Sequence, residues 1–214
     1  MSTDTLIHNL FDMLDDWRSL PAYQLERRAD IFFALYLKEI LKANIEDHPV
    51  IDYIIPEFPI RKGNLKVEKD NPRPNLSFKI DYLAVSVSSK TIFLVELKTE
   101  NDSFSEKQKD MMDEICHWSV SELVENIISI KKASKSKKYN SLIDKLKEMG
   151  WIDNTGQIVS MQDYKMKVVY IMPNDKNVTD ERLKIITFKE VIESIKSNED
   201  GLTGRFITSL ERWQ

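Results

Sequence analysis

Phe78-Lys79-Ile80-Asp81-Tyr82-Leu83-Ala84-Val85 and Thr91-Ile92-Phe93-Leu94-Val95-Glu96-Leu97-Lys98-Thr99 are separated only by Ser86-Val87-Ser88-Ser89-Lys90. Both runs are rich in β-branched and aromatic residues and the link is short, so the pair reads as an antiparallel hairpin. A turn centred on Ser88-Ser89 sets Asp81 directly across from Glu96. Strand alternation then brings Lys98 to the same face as Glu96. Ile92 to Val95 are apolar at both parities, the pattern of a central strand covered on both sides.

Directly opposed side chains have Cβ atoms roughly 5 Å apart, and like charges there are destabilising. At an effective dielectric of about 20, two unit charges at that distance repel by about 3 kcal/mol. That is a large share of an ordinary folding free energy. A divalent cation between the carboxylates reverses the sign, and Mg²⁺ is commonly held by one or two carboxylates with water and phosphate. The competing reading places Glu96 and Lys98 on a solvated sheet face. Their position at the end of a strand with two apolar faces favours a site.

Asp81 followed by Glu96-Leu97-Lys98 at the end of the next strand resembles the core of the PD-(D/E)xK nuclease superfamily. The resemblance implies an α/β, restriction-endonuclease-like three-layer core: a central mixed sheet flanked by helices. It also implies an order of parts, with a glutamate-bearing helix ahead of three antiparallel strands and a long helix and a further strand behind them. The chain offers each part in turn. Ile80 stands where the family pattern has proline, a position at which members vary.

The upstream helix is expected from Tyr23 to about Ala43, with Ser19 and Pro21 as start signals. Glu26, Asp30, Phe33 and Leu37 recur at helical spacing, acidic at the start of the stripe and apolar further along. Glu26-Arg27 is similar to the family's helix glutamate before a basic residue, and Asp30 is the competing acid. A first-turn acid is also favoured by the helix dipole alone. Ile51 to Ile60 reads as the first strand, and its prolines confine it to an edge or an irregular stretch. Glu57 within it is a further acid, of a kind more often exposed.

Ser103 with Glu106 has capping-box spacing, which predicts one long helix running through Met111, Ile115, Trp118, Leu123 and Ile127 to about Ser134. Gln108 then falls in its first two turns, where several branches of the superfamily carry a glutamine near the metal or the nucleic-acid backbone. A helix over Leu142–Met149 follows, then a strand over Met166–Met172, a short strand over Ile185–Phe188 and a helix from Lys189 to Lys196. Leu202, Phe206, Leu210 and Trp213 mark an amphipathic C-terminal helix. Between these elements, Trp151 to Ser160 reads as a small hairpin or loop, with Asn154-Thr155-Gly156 as turn chemistry.

The resemblance assigns roles. Asp81, Glu96 and the Leu97 carbonyl, with Glu26, would hold Mg²⁺ or Mn²⁺. Lys98 would orient water or stabilise charge on the phosphate, and Gln108 would assist. The implied activity is metal-dependent endonucleolytic hydrolysis of phosphodiester bonds, with DNA as the expected partner. The alternative is a noncatalytic module that keeps the fold and binds nucleic acid or protein. A homodimer, through a sheet edge or the tail helix, is a further expected assembly.

The 214 residues fit one domain over the whole chain, and 31 Lys and Arg against 35 Asp and Glu give a net charge of −4. Nucleic-acid binding therefore has to rest on local patches. Arg61, Lys62, Lys66, Lys69 and Arg73 form one candidate, and Lys131, Lys132, Lys135, Lys137 and Lys138 form another. A lysine run at a helix end is more usually a solvated terminus that complements the dipole.

The single cysteine, Cys116, excludes an internal disulfide and reads as a core residue. His8, His48 and His117 lack the paired spacing of a zinc site, and His117 is expected to pack beside the long helix. The five glycines form no phosphate-binding loop. No signal peptide and no membrane-length apolar run is present, so a cytoplasmic protein is expected.

Overall fold

The computed structural model describes residues 2–68, 76–100, 104–159, 164–176, 178, 180 and 183–214. It is an α/β protein with a five-stranded mixed sheet flanked by helices. The strands are β1 (Tyr53–Arg61), β2 (Ser77–Ser86), β3 (Thr91–Leu97), β4 (Lys165–Met172) and β5 (Lys184–Thr187). They stand in the order β1-β2-β3-β4-β5, with β1–β2 and β2–β3 antiparallel and β4–β5 parallel. The helices are α1 (Thr3–Trp17), α2 (Leu25–Asn44), α3 (Glu106–Ile115), α4 (Val120–Ala133), α5 (Lys138–Glu148), α6 (Phe188–Ile195) and α7 (Gly201–Trp213). Backbone contacts divide the chain into two compact units, one of Met1–Ile51, Glu96–Phe104 and Val169–Gln214, the other of Asp52–Val95 and Ser105–Val168.

The first unit is built around aromatic rings. Phe206 of α7 lies 5.2 Å from Phe33 and 5.9 Å from Tyr36, both on α2, and 6.0 Å from Phe11 of α1. Such centroid distances suit edge and offset ring contacts. The Tyr36 hydroxyl meets Thr203 Oγ1 at 2.7 Å, satisfying both buried groups. Arg205 of α7, itself buried, donates to Asp12 and Asp15 of α1 at 2.7 and 2.8 Å. Trp213 Nε1 also donates to Asp15, at 2.8 Å. Burial pushes the Asp15 carboxyl up, but hydrogen bonds from Arg205, Ser209 and Trp213 and the Arg205 charge outweigh it and hold the group below its ordinary value.

The second unit packs α3, α4 and α5 on the hairpin. Leu83 and Val85 of β2 share a hydrophobic core with Ile92 and Leu94 of β3, Met112 of α3 and Leu123 and Ile127 of α4. Asn126 of α4 is buried and spends its amide on the edge strand. Its Nδ2 donates to the Pro59 carbonyl at 2.9 Å, and its Oδ1 accepts the Arg61 backbone N–H at 2.8 Å. The edge position of β1 agrees with its two prolines.

Three expectations change. The long helix from Ser103 to Ser134 is two helices, because Ser119 and Glu122 form a reciprocal capping box that starts α4 afresh after Ile115. α3 itself is capped by Ser105, whose Oγ accepts the Gln108 N–H at 3.5 Å; Ser103 lies outside the described residues. His117, in the link between these helices, is exposed rather than packed. Before α2 stands a further helix, α1, with Ser2 as N-cap, and α2 begins at Leu25 without a side-chain cap. Between Trp151 and Val159 the turn chemistry gives one bridge, Ile152 to Ile158, around a turn in which Asp153 Oδ1 accepts N–H bonds from Thr155 and Gln157. Ser160 lies outside the described residues.

Candidate metal centre

The hairpin fixes the first part of the site. Tyr82 pairs with Val95, Leu83 with Leu94 and Ser86 with Thr91, so the turn is centred on Ser88-Ser89. Lys90, in the left-handed region at φ 48°, closes it by donating its N–H to Val87 O at 3.3 Å. A four-residue connection of this kind is commonly built on a type I turn. The register runs as far as Tyr82 and Val95, the sequence neighbours of Asp81 and Glu96. The row of Leu83, Val85, Ile92 and Leu94 that fills the core thus turns acidic at the end of the strands.

Glu96 and Lys98 are buried, at 2% and 5% exposure. Lys98 Nζ donates to Glu96 Oε1 at 2.7 Å and lies 3.9 Å from Glu26 Oε2. Its backbone N–H donates to Ile171 O on β4 at 2.8 Å, which fixes the lysine beyond the last residue of β3. The Ile171 carbonyl had no local signal in the sequence, because its partner lies some seventy residues earlier. Glu26, in the first turn of α2, keeps a third of its side chain exposed.

One carboxylate oxygen from each of Glu26, Asp81 and Glu96 lies within 4.8 Å of the other two. At an effective dielectric of about 20, each ionised pair at that separation repels by about 3 kcal/mol. Three carboxylates stand with one ammonium in this group, so acidic side chains predominate in it. The donor set is all oxygen, which suits a hard divalent cation such as Mg²⁺ or Mn²⁺. Leu97, between the acid and the lysine, is fully buried.

The remaining candidates fall elsewhere. Asp30 accepts the backbone N–H of Ile31 at 2.6 Å and is not part of the carboxylate group. Glu57 adopts φ 51° on β1 and forms an exposed ion pair with Lys79. Gln108 occupies the first turn of α3, half-buried.

In the first basic patch, Lys66 is exposed while Arg61 and Lys62 are half-buried; Lys69 and Arg73 lie outside the described residues. Lys131 and Lys132 end α4, where they complement its dipole, and Lys135, Lys137 and Lys138 are exposed beyond it. Burial, then the charge of Asp113, pushes the Cys116 thiol up to about 11, so it is a poor nucleophile at neutral pH. No helix among the described residues is long and apolar enough to cross a membrane.

Comparison with protein-family models, with curated proteins and with solved structures finds no match to this chain. The functional reading therefore rests on the residues themselves.

Proposed function

We propose that this protein is a metal-dependent endonuclease of the PD-(D/E)xK type, on a restriction-endonuclease-like fold, that hydrolyses phosphodiester bonds of DNA. One observation carries the reading: the carboxylates of Glu26, Asp81 and Glu96 converge within 4.8 Å beside the buried Lys98 ammonium. Asp81, Glu96 and Glu26, with the Leu97 carbonyl, are the groups that would hold Mg²⁺ or Mn²⁺. When bound, such a cation supplies Lewis-acid charge at the phosphoryl oxygens.

The chain's own residues do the rest. Glu96 holds the Lys98 ammonium in one place, so its positive charge is aimed before substrate arrives. An ammonium is a compact point charge suited to an oxygen on which negative charge builds. Water adds to phosphorus, the ester oxygen leaves, and the chain ends as a phosphate monoester and a hydroxyl. Gln108 and the exposed lysines beyond α4 are proposed to contact the nucleic-acid backbone.

The test is incubation of the purified protein with single-stranded, linear duplex, supercoiled and branched DNA, with Mg²⁺ or Mn²⁺ and with chelator. Cleavage is expected only with metal, and it should vanish in Asp81→Asn, Glu96→Gln and Lys98→Ala while the circular dichroism spectrum stays native. Unchanged activity in all three variants would remove the proposal.

A further inference from the structure

Helix α1 is apolar on two adjoining faces. Phe11 and Leu14 are buried in the core of their unit. One residue out of step with them runs a second row, Leu6, Leu10, Met13 and Trp17, continued by Leu20 just past the helix. Its spacing of four, three, four and three is the seam of a coiled-coil interface. These five side chains remain 37 to 58% exposed. A single exposed leucine needs no explanation, but an aligned row does.

Helix α2, in the same unit, has a matching outer face. Ile31 and Leu35 are 65% and 59% exposed, one turn apart. Around them at the same helical phase stand Arg27, Arg28, Lys38 and Lys42, four bases against the one acid Glu39, all exposed. The open flank of the α1 row carries instead Asp16 and Asp12, the latter also bound by Arg205 of its own chain, and α1 contains no lysine or arginine. The two faces are joined at one end, where the Trp17 ring meets Tyr23 edge-on at 6.0 Å and Arg28 lies 5.7 Å over the Tyr23 ring.

We infer that this surface is a homodimer interface, in which the apolar row of α1 with its acidic flank packs on the basic-rimmed face of α2 from a second copy. Opposite charge selects the occupant. A second copy presents a basic rim to the acids and an acidic flank to the bases, and a two-fold axis makes the contact twice. Apolar burial would supply the affinity and the charged rim the register.

Sedimentation velocity of the full chain over a concentration series is the test. The native protein is expected to move from monomer to dimer as concentration rises, and added salt should weaken the dimer by screening the rim. Leu10→Glu on α1 and Leu35→Glu on α2 should each leave a monomer with a native circular dichroism spectrum. Arg28→Glu with Lys38→Glu should weaken association about tenfold or more, and adding Asp16→Lys should recover part of that loss. A native chain that stays monomeric throughout would overturn the inference. So would a dimer indifferent to Leu35→Glu and to the charge reversals.

Discussion

Lys98 Nζ donates to Glu96 Oε1 at 2.7 Å, and both side chains are buried. Breaking a buried pair by deleting one partner typically destabilises by about 3–5 kcal/mol, because the other charge is left uncompensated. Lys98→Ala should therefore melt earlier than the native protein in chelator. Its Mn²⁺-induced rise in melting temperature should be larger than the native one, since the ammonium no longer competes for the acids. A smaller rise would show that the lysine supports metal binding rather than opposing it.

Asp15 ties α1 to α7 through Arg205, Arg212 and Trp213. Its folded carboxyl is held below the ordinary value, so its contribution to stability is complete above a pH of about 4 and lost as pH falls through the folded value. Asp15→Asn should flatten the acid limb of the stability curve, read by urea unfolding at successive pH values. At neutral pH it should cost about 1–3 kcal/mol, because Arg205 loses one of two carboxylate partners. An acid limb identical to the native one would contradict the assignment.

Asn126 bridges α4 to the edge strand through Pro59 O and the Arg61 N–H. Asn126→Leu strands both backbone groups and should destabilise by about 2 kcal/mol or more. The check is the midpoint shift in denaturant at unchanged m-value.

With its thiol pushed up to about 11, Cys116 should be roughly one part in a thousand thiolate at pH 8. Alkylation of the native protein should be slower than that of the urea-unfolded chain by orders of magnitude. Comparable rates would contradict the burial.

The hairpin and its register were legible because turn and strands are local: a one-residue slip would take Ile92 and Leu94 off the face that Leu83 and Val85 bury, and the short turn disfavours larger shifts. The central place of β3 followed from an apolar run at both parities. The break between α3 and α4 is hidden although Ser119-x-x-Glu122 lies open in the sequence, because the apolar period continues across it and masks the cap. Helix α1 gives a weak periodic signal because its apolar residues fall on two faces rather than one stripe. Glu26 and Asp30 lie one turn apart on α2, and periodicity cannot tell which turn meets a distant strand. Glu26 is the one grouped with Asp81 and Glu96. The hold of Ile171 on Lys98 and of Asn126 on β1 are likewise long-range, so no local pattern announces them.

Metal affinity should fall as pH is lowered, since ligating carboxylates must give up their protons. Titration calorimetry with Mn²⁺ on the full chain, repeated for Asp81→Asn and Glu96→Gln, addresses the carboxylate group itself, apart from any choice of DNA substrate. The expected result is one site per chain in the native protein, lost in both variants while each keeps a native circular dichroism spectrum. Native protein that takes up no Mn²⁺, or variants that bind it as well as the native chain does, would contradict a metal centre at Glu26, Asp81 and Glu96.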